Sequence, residues 1–148
     1  MKIIYATTNP GKFNEVKSIF AHHNVNIYSP MDFGQSVEVE ETGNTLQENA
    51  LLKAKAYIDL FPNDIIISDD TGVEIDGLGG EPGIKVRRWK GYKMEDEEII
   101  EHCLLRMNGI KEGKRGAQFH TVIAVAEPGK EIVYFDGVFR GQILKEPK

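Results

Sequence analysis

Ile65-Ile66-Ile67-Ser68-Asp69-Asp70-Thr71-Gly72 is the stretch that decides the fold. A short, continuous apolar run before polar residues predicts a strand buried on both faces. The two carboxylates are read as closing that strand. A strand tip is where an α/β sheet opens its ligand crevice. Adjacent carboxylates there suit a hard, oxygen-loving cation such as Mg²⁺, which points to phosphate chemistry or hydrolysis. The competing reading is that Asp69 and Asp70 only start a turn before Gly72, since Asp is a common turn residue.

Upstream, Thr45-Leu46-Gln47-Glu48 fits a capping box, and Leu46, Ala50, Ala54, Tyr57 and Phe61 recur as an apolar stripe. Together they predict a helix over Thr45 to Phe61. Thr45, Asn49 and Lys53 form a polar ridge on another face of it, with Glu48 beside them. The ridge either points into a cleft or is a solvated face. Before it lies the acidic run Glu38-Val39-Glu40-Glu41, whose alternation places Glu38 and Glu40 on one side of a strand-like segment.

Downstream, Thr71 to Asp76 reads as a further short strand, and Gly77 to Gly83 as a flexible loop too rich in Gly and Pro for regular structure. Val86-Arg87-Arg88-Trp89 follows, whose two guanidinium groups either clamp phosphate or are ordinary surface arginines. A helix is expected over Asp96 to Met107, ended by Asn108-Gly109. Gln118 to Glu127 and Glu131 to Leu144 then read as paired strands around a Glu127-Pro128-Gly129-Lys130 turn.

At the N-terminus, a strand over Lys2 to Thr7 leads through Thr8-Asn9-Pro10-Gly11 into a helix over Lys12 to His22. Strand, tight turn and helix start together make an anion site, with free N–H groups and the positive end of the dipole facing the ligand. Lys12 adds a full positive charge.

The bulk properties limit the alternatives. With 148 residues, 41% hydrophobic and 28% charged, one domain over residues 1–148 is expected. The apolar runs are too short for a bilayer and the N-terminus lacks signal-peptide features, so cytoplasmic residence is the default. A net charge of −5 argues against nucleic acid as a partner. Cys103 is the single cysteine, which excludes an intrachain disulfide and suits a small core residue better than a nucleophile. Neither His22-His23 nor His120 has a partner at zinc-like spacing.

Four blocks in order resemble the inosine triphosphate pyrophosphatase family: Thr7 to Lys12; Glu40-Glu41-Thr42-Gly43 with Glu48-Asn49-Ala50 and Lys53-Ala54; Ser68 to Gly72; and Leu78 to Gly83 ending at Arg88-Trp89. Phe119 and Phe139 to Ile143 extend the likeness over most of the chain. It implies a three-layer α/β fold with a long twisted mixed sheet and a cleft between two lobes. It also implies hydrolysis of non-standard purine nucleoside triphosphates to monophosphate and pyrophosphate, with Mg²⁺ as cofactor, in a homodimer.

Carried over by position, the resemblance makes Asp70 the general base and metal ligand, with Glu40 and Asp69 as metal partners. Thr7, Thr8, Asn9, Lys12, Lys53, Thr71 and Arg88 would bind substrate. Between Glu40 and Glu41 the reading leans to Glu40. Val86 and Arg87 depart from the small residues usual before the Arg-aromatic pair. Family members also continue into a Phe-Gly-Tyr-Asp-Pro block and a Lys followed by Ser-His-Arg, neither of which precedes Lys148. The rival expectations are therefore a nucleotide-binding protein with little turnover, and an enzyme for other nucleotides such as modified pyrimidines.

Overall fold

The computed structural model describes residues 1–148. They divide into two compact units, one of Met1–Asp70 and Val122–Asp136, the other of Thr71–Thr121 and Gly137–Lys148. The fold is α/β on a mixed sheet, with strand order β2-β1-β3-β5-β6 and β4 attached to β3.

In the first unit, β1 (Ile3–Tyr5), α1 (Pro10–Ala21), β2 (Ile27–Tyr28) and α2 (Leu46–Ile58) lead into β3 (Ile65–Ile75). β1 is parallel to both neighbours, with Ile3 opposite Ile27 and Ile65. The crossover through α1 steps one way from β1 and the crossover through α2 steps back over it. Because parallel crossovers are right-handed, those opposite steps put α1 and α2 on opposite faces of the sheet.

The α2 face holds the core of this unit, where Ile4, Ala6 and Ile66 meet Ala50, Ala54 and Tyr57 under Ala124 and Ala126. Ile4 and Ile66 are fully buried, each side chain contributing about 1.5–3 kcal/mol through area removed from water. The two alanines let α2 lie close, and Ser68 Oγ donates to Ala50 O at 2.6 Å across that contact. The expected stripe of α2 is thus in place, although the helix stops at Ile58, short of Phe61, ahead of Pro62. α1 buries no residue fully: Phe13, Val16 and Phe20 are half-covered and Ile19 is exposed.

Two expectations change here. β3 does not end at Asp69-Asp70 but runs eleven residues through them, joining the segment expected as a separate strand. Aspartate fits poorly in strands, but that preference yields when tertiary contacts satisfy the side chain. The acidic run is irregular rather than a strand, with Val37 and Val39 half-buried and Glu38 and Glu40 exposed. The Tyr57 hydroxyl anchors its start, accepting from Val37 N at 3.0 Å and donating to Val37 O at 3.3 Å.

The second unit takes the rest of β3, β4 (Pro82–Gly83), α3 (Asp96–Arg106), the start of β5 (Gly116–Ala126) and the end of β6 (Val133–Gln142). The segment expected as a flexible loop contains a 3₁₀ turn over Asp76–Leu78 and then β4, antiparallel to Val73 and Glu74. Gly72 permits the pairing, since a Cβ there would lie 3.1 Å from Gly83 O. Ile75, Met107 and Ala117 form the core, with half-buried Cys103 packed on it and its thiol pKa pushed up by burial. Buried Arg115, which no motif announced, donates to Met107 O, Ile143 O and Leu144 O and so caps the end of α3. No helix is long and apolar enough to cross a membrane.

Candidate active site

The strand end beside the two carboxylates is that of β1, not of β3. The β1–β3 register ends at Tyr5 opposite Ile67, and Ala6 N donates to Ile67 O at 2.7 Å. β1 then leaves through Thr7-Thr8-Asn9 while β3 carries on into Asp69 and Asp70. The reversal of crossover direction on either side of β1 is the arrangement that leaves a ligand crevice at strand C-termini.

The turn itself departs from the open N–H cradle expected of it. Asn9 is the N-cap of α1, and its Oδ1 accepts from Gly11 N at 2.9 Å and Lys12 N at 3.2 Å. Asn9 N donates to Thr7 Oγ1 at 3.1 Å, and Phe13 N to Asn9 O at 3.0 Å. Pro10 at the first helical position has no N–H to offer. The first turn is closed by its own cap, as the strong N-cap preference of Asn dictates. Thr8 is exposed and Thr7 half-buried.

Asp69 and Asp70 are consecutive in a strand and so point to opposite faces. Asp69 faces α1. Its Oδ2 takes Lys12 Nζ at 2.5 Å and its Oδ1 takes the buried Tyr5 hydroxyl at 2.6 Å. Burial works to raise this carboxyl, but the Lys12 ammonium and the Tyr5 hydroxyl outweigh it and hold the pKa below the usual carboxylate value. Tyr5 is driven the other way, by burial and by the Asp69 charge, and remains a proton donor.

Asp70 faces α2, as Ser68 does. Its Oδ2 accepts from Asn49 Nδ2 at 3.0 Å and its Oδ1 from Lys53 Nζ at 3.3 Å. The same ammonium reaches Asp69 O at 3.0 Å and Glu41 Oε1 at 2.6 Å. Burial raises Asp70 and is the largest influence; Lys53 and Asn49 only partly offset it, Glu41 adds to it, and the pKa ends above the usual value. Burial would lower Lys53, but Asp70 and Glu41 prevail and its pKa is raised. Lys53 therefore stays an ammonium.

The first unit thus brings together Lys12 with Asp69, and Lys53 with Asp70 and Glu41. Glu41 rather than Glu40 makes the ion pair, while Glu40 is exposed outside the cluster. No group of three or more metal-type side chains converges in the chain. Glu41 and Asp70 are two oxygen donors already drawn to one cation, the Lys53 ammonium. That set fits Mg²⁺, which characteristically takes one or two carboxylates from a protein and the rest of its shell from phosphate and water.

In the second unit, Thr71 Oγ1 shares a 2.8 Å hydrogen bond with Thr121. Arg88 is exposed at the end of the 3₁₀ turn Val86–Arg88. Around it, Arg87 pairs with Asp96 at 2.5 Å, and Trp89 donates to Glu81 at 3.2 Å while packing edge-on against His102. Trp89 is therefore a packing residue there. Tyr5, Glu41 and Asn49 are cluster members that were not among the predicted site residues. Asn49 could have been found on the Thr45/Asn49/Lys53 ridge. Nothing local marks Tyr5.

Comparison with known proteins agrees over nearly the whole chain. Residues 3–148 match the model of the Ham1 family. A dITP/XTP pyrophosphatase of Bacillus subtilis is 39% identical over 145 residues, 98% of this chain and 73% of that protein. One from Thermoanaerobacter pseudethanolicus is 42% identical over 148 residues, 100% of this chain and 74% of that protein. Among solved structures, the Staphylococcus aureus Ham1 protein has a TM-score of 0.78 at 36% identity, covering 98% of this chain and 73% of that one. A HAM1 protein from Coxiella burnetii has a TM-score of 0.81 at 29% identity, covering 100% and 75%.

Proposed function

The chain belongs to the Ham1 family, and on that premise we propose that it is a nucleoside triphosphate pyrophosphatase. Its substrates are non-standard purine triphosphates such as inosine, deoxyinosine and xanthosine triphosphate, cleaved to monophosphate and pyrophosphate. The names of the relatives support the substrate class. The observation that carries the reading is the meeting, beside the Thr7–Lys12 turn, of two ammonium groups with two adjacent carboxylates of opposite proton affinity.

Asp70 accepts the proton of the water that attacks the α-phosphorus. A carboxylate with raised proton affinity is better suited to that task than an ordinary one. The bond from the α-phosphorus to the oxygen bridging it to the β-phosphate breaks, and pyrophosphate leaves. Lys12 and Lys53, each resting on a protein carboxylate, exchange that partner for phosphate oxygens and face the charge that develops. Thr7, Thr8 and Asn9 position the phosphates from the turn, and Thr71 and Arg88 bind substrate by the family analogy. Glu41 and Asp70 would hold Mg²⁺, while Glu40, exposed outside the cluster, and Asp69, on the opposite face, would join only by the family analogy; the ion would supply charge neutralisation on the phosphates.

Residues 1–148 act as one catalytic domain in this reading. The family analogy extends to a cytoplasmic homodimer, which sedimentation equilibrium tests.

The decisive assay measures pyrophosphate release from inosine, xanthosine, guanosine and adenosine triphosphates with Mg²⁺, for the chain and its Asp70→Asn variant. Release from the first two that vanishes in the variant is the expected result. Binding of nucleotide without release from any of the four contradicts it.

A further inference from the structure

Asn49 is a buried polar residue that contacts Asp70 and that the mechanism leaves unused, at 3% exposure on α2 one turn before Lys53. Both ends of its amide are engaged. Nδ2 donates to Asp70 Oδ2 at 3.0 Å, and Oδ1 accepts from Gly43 N at 2.8 Å. These bonds fix which way the amide faces, because only the NH₂ end can donate to a carboxylate and only the oxygen can accept from an N–H.

Lys53 repeats the pattern one turn on, reaching Asp70 Oδ1 and Glu41 Oε1. Each oxygen of Asp70 is therefore held by one residue of α2, and each of those residues also holds one end of the Glu41-Thr42-Gly43 segment. Gly43 belongs to the same device. A Cβ there would lie 2.6 Å from Asn49 Oδ1 and 2.7 Å from Glu48 Cβ, so only glycine brings its N–H so close to the helix. Glu48 Oε2 accepting from Asn44 N at 2.6 Å, and Thr45 Oγ1 accepting from Glu48 N at 3.1 Å, fasten the next residues to the helix start.

We infer that Asn49 is a positioning residue: its amide sets the orientation of the Asp70 carboxylate and, through the Gly43 N–H, holds the Glu41 segment in register with it. It does so without adding a charge to the site. The inference rests on the pyrophosphatase reading for its kinetic consequence but not for its geometry, so the two are tested by separate readouts.

The geometric readout is the hydrogen-exchange rate of the Gly43 amide in the whole chain. In the wild type this amide is protected; in Asn49→Leu, which keeps the bulk and loses both bonds, exchange rises by about tenfold or more. Equal rates in the two proteins overturn the clasp whatever the enzyme does.

The kinetic readout is pyrophosphate release from inosine triphosphate. Asn49→Leu and Asn49→Asp lower kcat by about 10–100-fold, the usual cost of losing a group that orients a reacting or ligating side chain. KM changes by less than about threefold, because Asn49 touches Asp70 and not the substrate. Unchanged kcat, or a rise in KM alone, overturns the positioning role. A wild type that releases no pyrophosphate defeats the functional reading and leaves the exchange measurement to decide the clasp.

Misfolding is controlled by the exchange double variant Asn49→Asp with Asp70→Asn. It rebuilds the N–H···O bond with donor and acceptor swapped and keeps an acceptor for Gly43. It recovers the melting temperature lost in Asn49→Asp but not turnover, since the carboxylate now stands on the helix. Recovery of turnover in the double variant overturns the assignment.

Discussion

Asp69 and Asp70 share a peptide bond and a contact with Lys53, but their carboxylates face different elements and have different principal partners. On the α1 face, Asp69 has one oxygen on an ammonium and the other on a hydroxyl that does not ionise, and its pKa is pulled down. On the α2 face, Asp70 has one oxygen on an amide and the other on an ammonium shared with Glu41, and burial leaves its pKa raised. The strand turns two neighbours in sequence into two sites in space. One carboxylate is fully matched and anchors Lys12. The other is left with proton affinity to use.

The largest effect expected from this contrast is on turnover. Asp70→Asn lowers pyrophosphate release by about 10²–10⁴-fold, the contribution typical of a positioned base. Its melting temperature falls less than that of Asp69→Asn, because the introduced amide oxygen still accepts from Asn49, and Lys53 keeps Glu41 and Asp69 O. Equal loss of stability in the two variants would break the comparison.

Glu41 and Glu40 sharpen it next. Glu41→Gln raises the Mg²⁺ concentration needed for half-maximal release by about 10–100-fold, and Glu40→Gln by much less. The reverse order would restore Glu40, the residue favoured by simple alternation.

Why alternation misleads there is physical. It applies to a strand, and the acidic segment is irregular, held by Tyr57, Asn49 and Lys53 rather than by a ladder. The early elements were legible because their signals are local: the apolar run of β3, the capping residues of α2 and the apolar spacing of α1, although Pro10 and Gly11, expected in the turn before α1, form its first turn. The passage of β3 through two aspartates was not legible, since the partners that make it tolerable come from Tyr5, Lys12, Asn49 and Lys53, all distant in sequence. The Ile65 stretch named the wrong strand end: β3 runs on to Ile75, and it is β1 that stops beside the carboxylates.

A smaller effect separates the two carboxylates by stability. Asp69→Asn costs about 1–3 kcal/mol near neutral pH, because it leaves Lys12 without its counter-charge. The folded pKa of Asp69 lies below its ordinary 3.8. Its contribution is therefore complete above that value and is lost as pH falls through the folded pKa. Thermal melts should show the gap between wild type and variant closing below about pH 4. A gap that persists at lower pH would remove Asp69 from the account.

The smallest effect is that of Tyr5→Phe, which removes one hydroxyl from the Asp69 side. It costs about 1 kcal/mol in thermal or denaturant unfolding and changes release far less than Asp70→Asn. A loss of turnover as large as that of Asp70→Asn would mean that the two faces are not separate.

The difference between the faces is tested most directly by a ¹³C-carboxyl NMR titration of the aspartates in the free protein. Asp69 is predicted to titrate below 3.8 and Asp70 above it. The two carboxyls titrating together, or in the opposite order, would contradict the division of labour proposed for them.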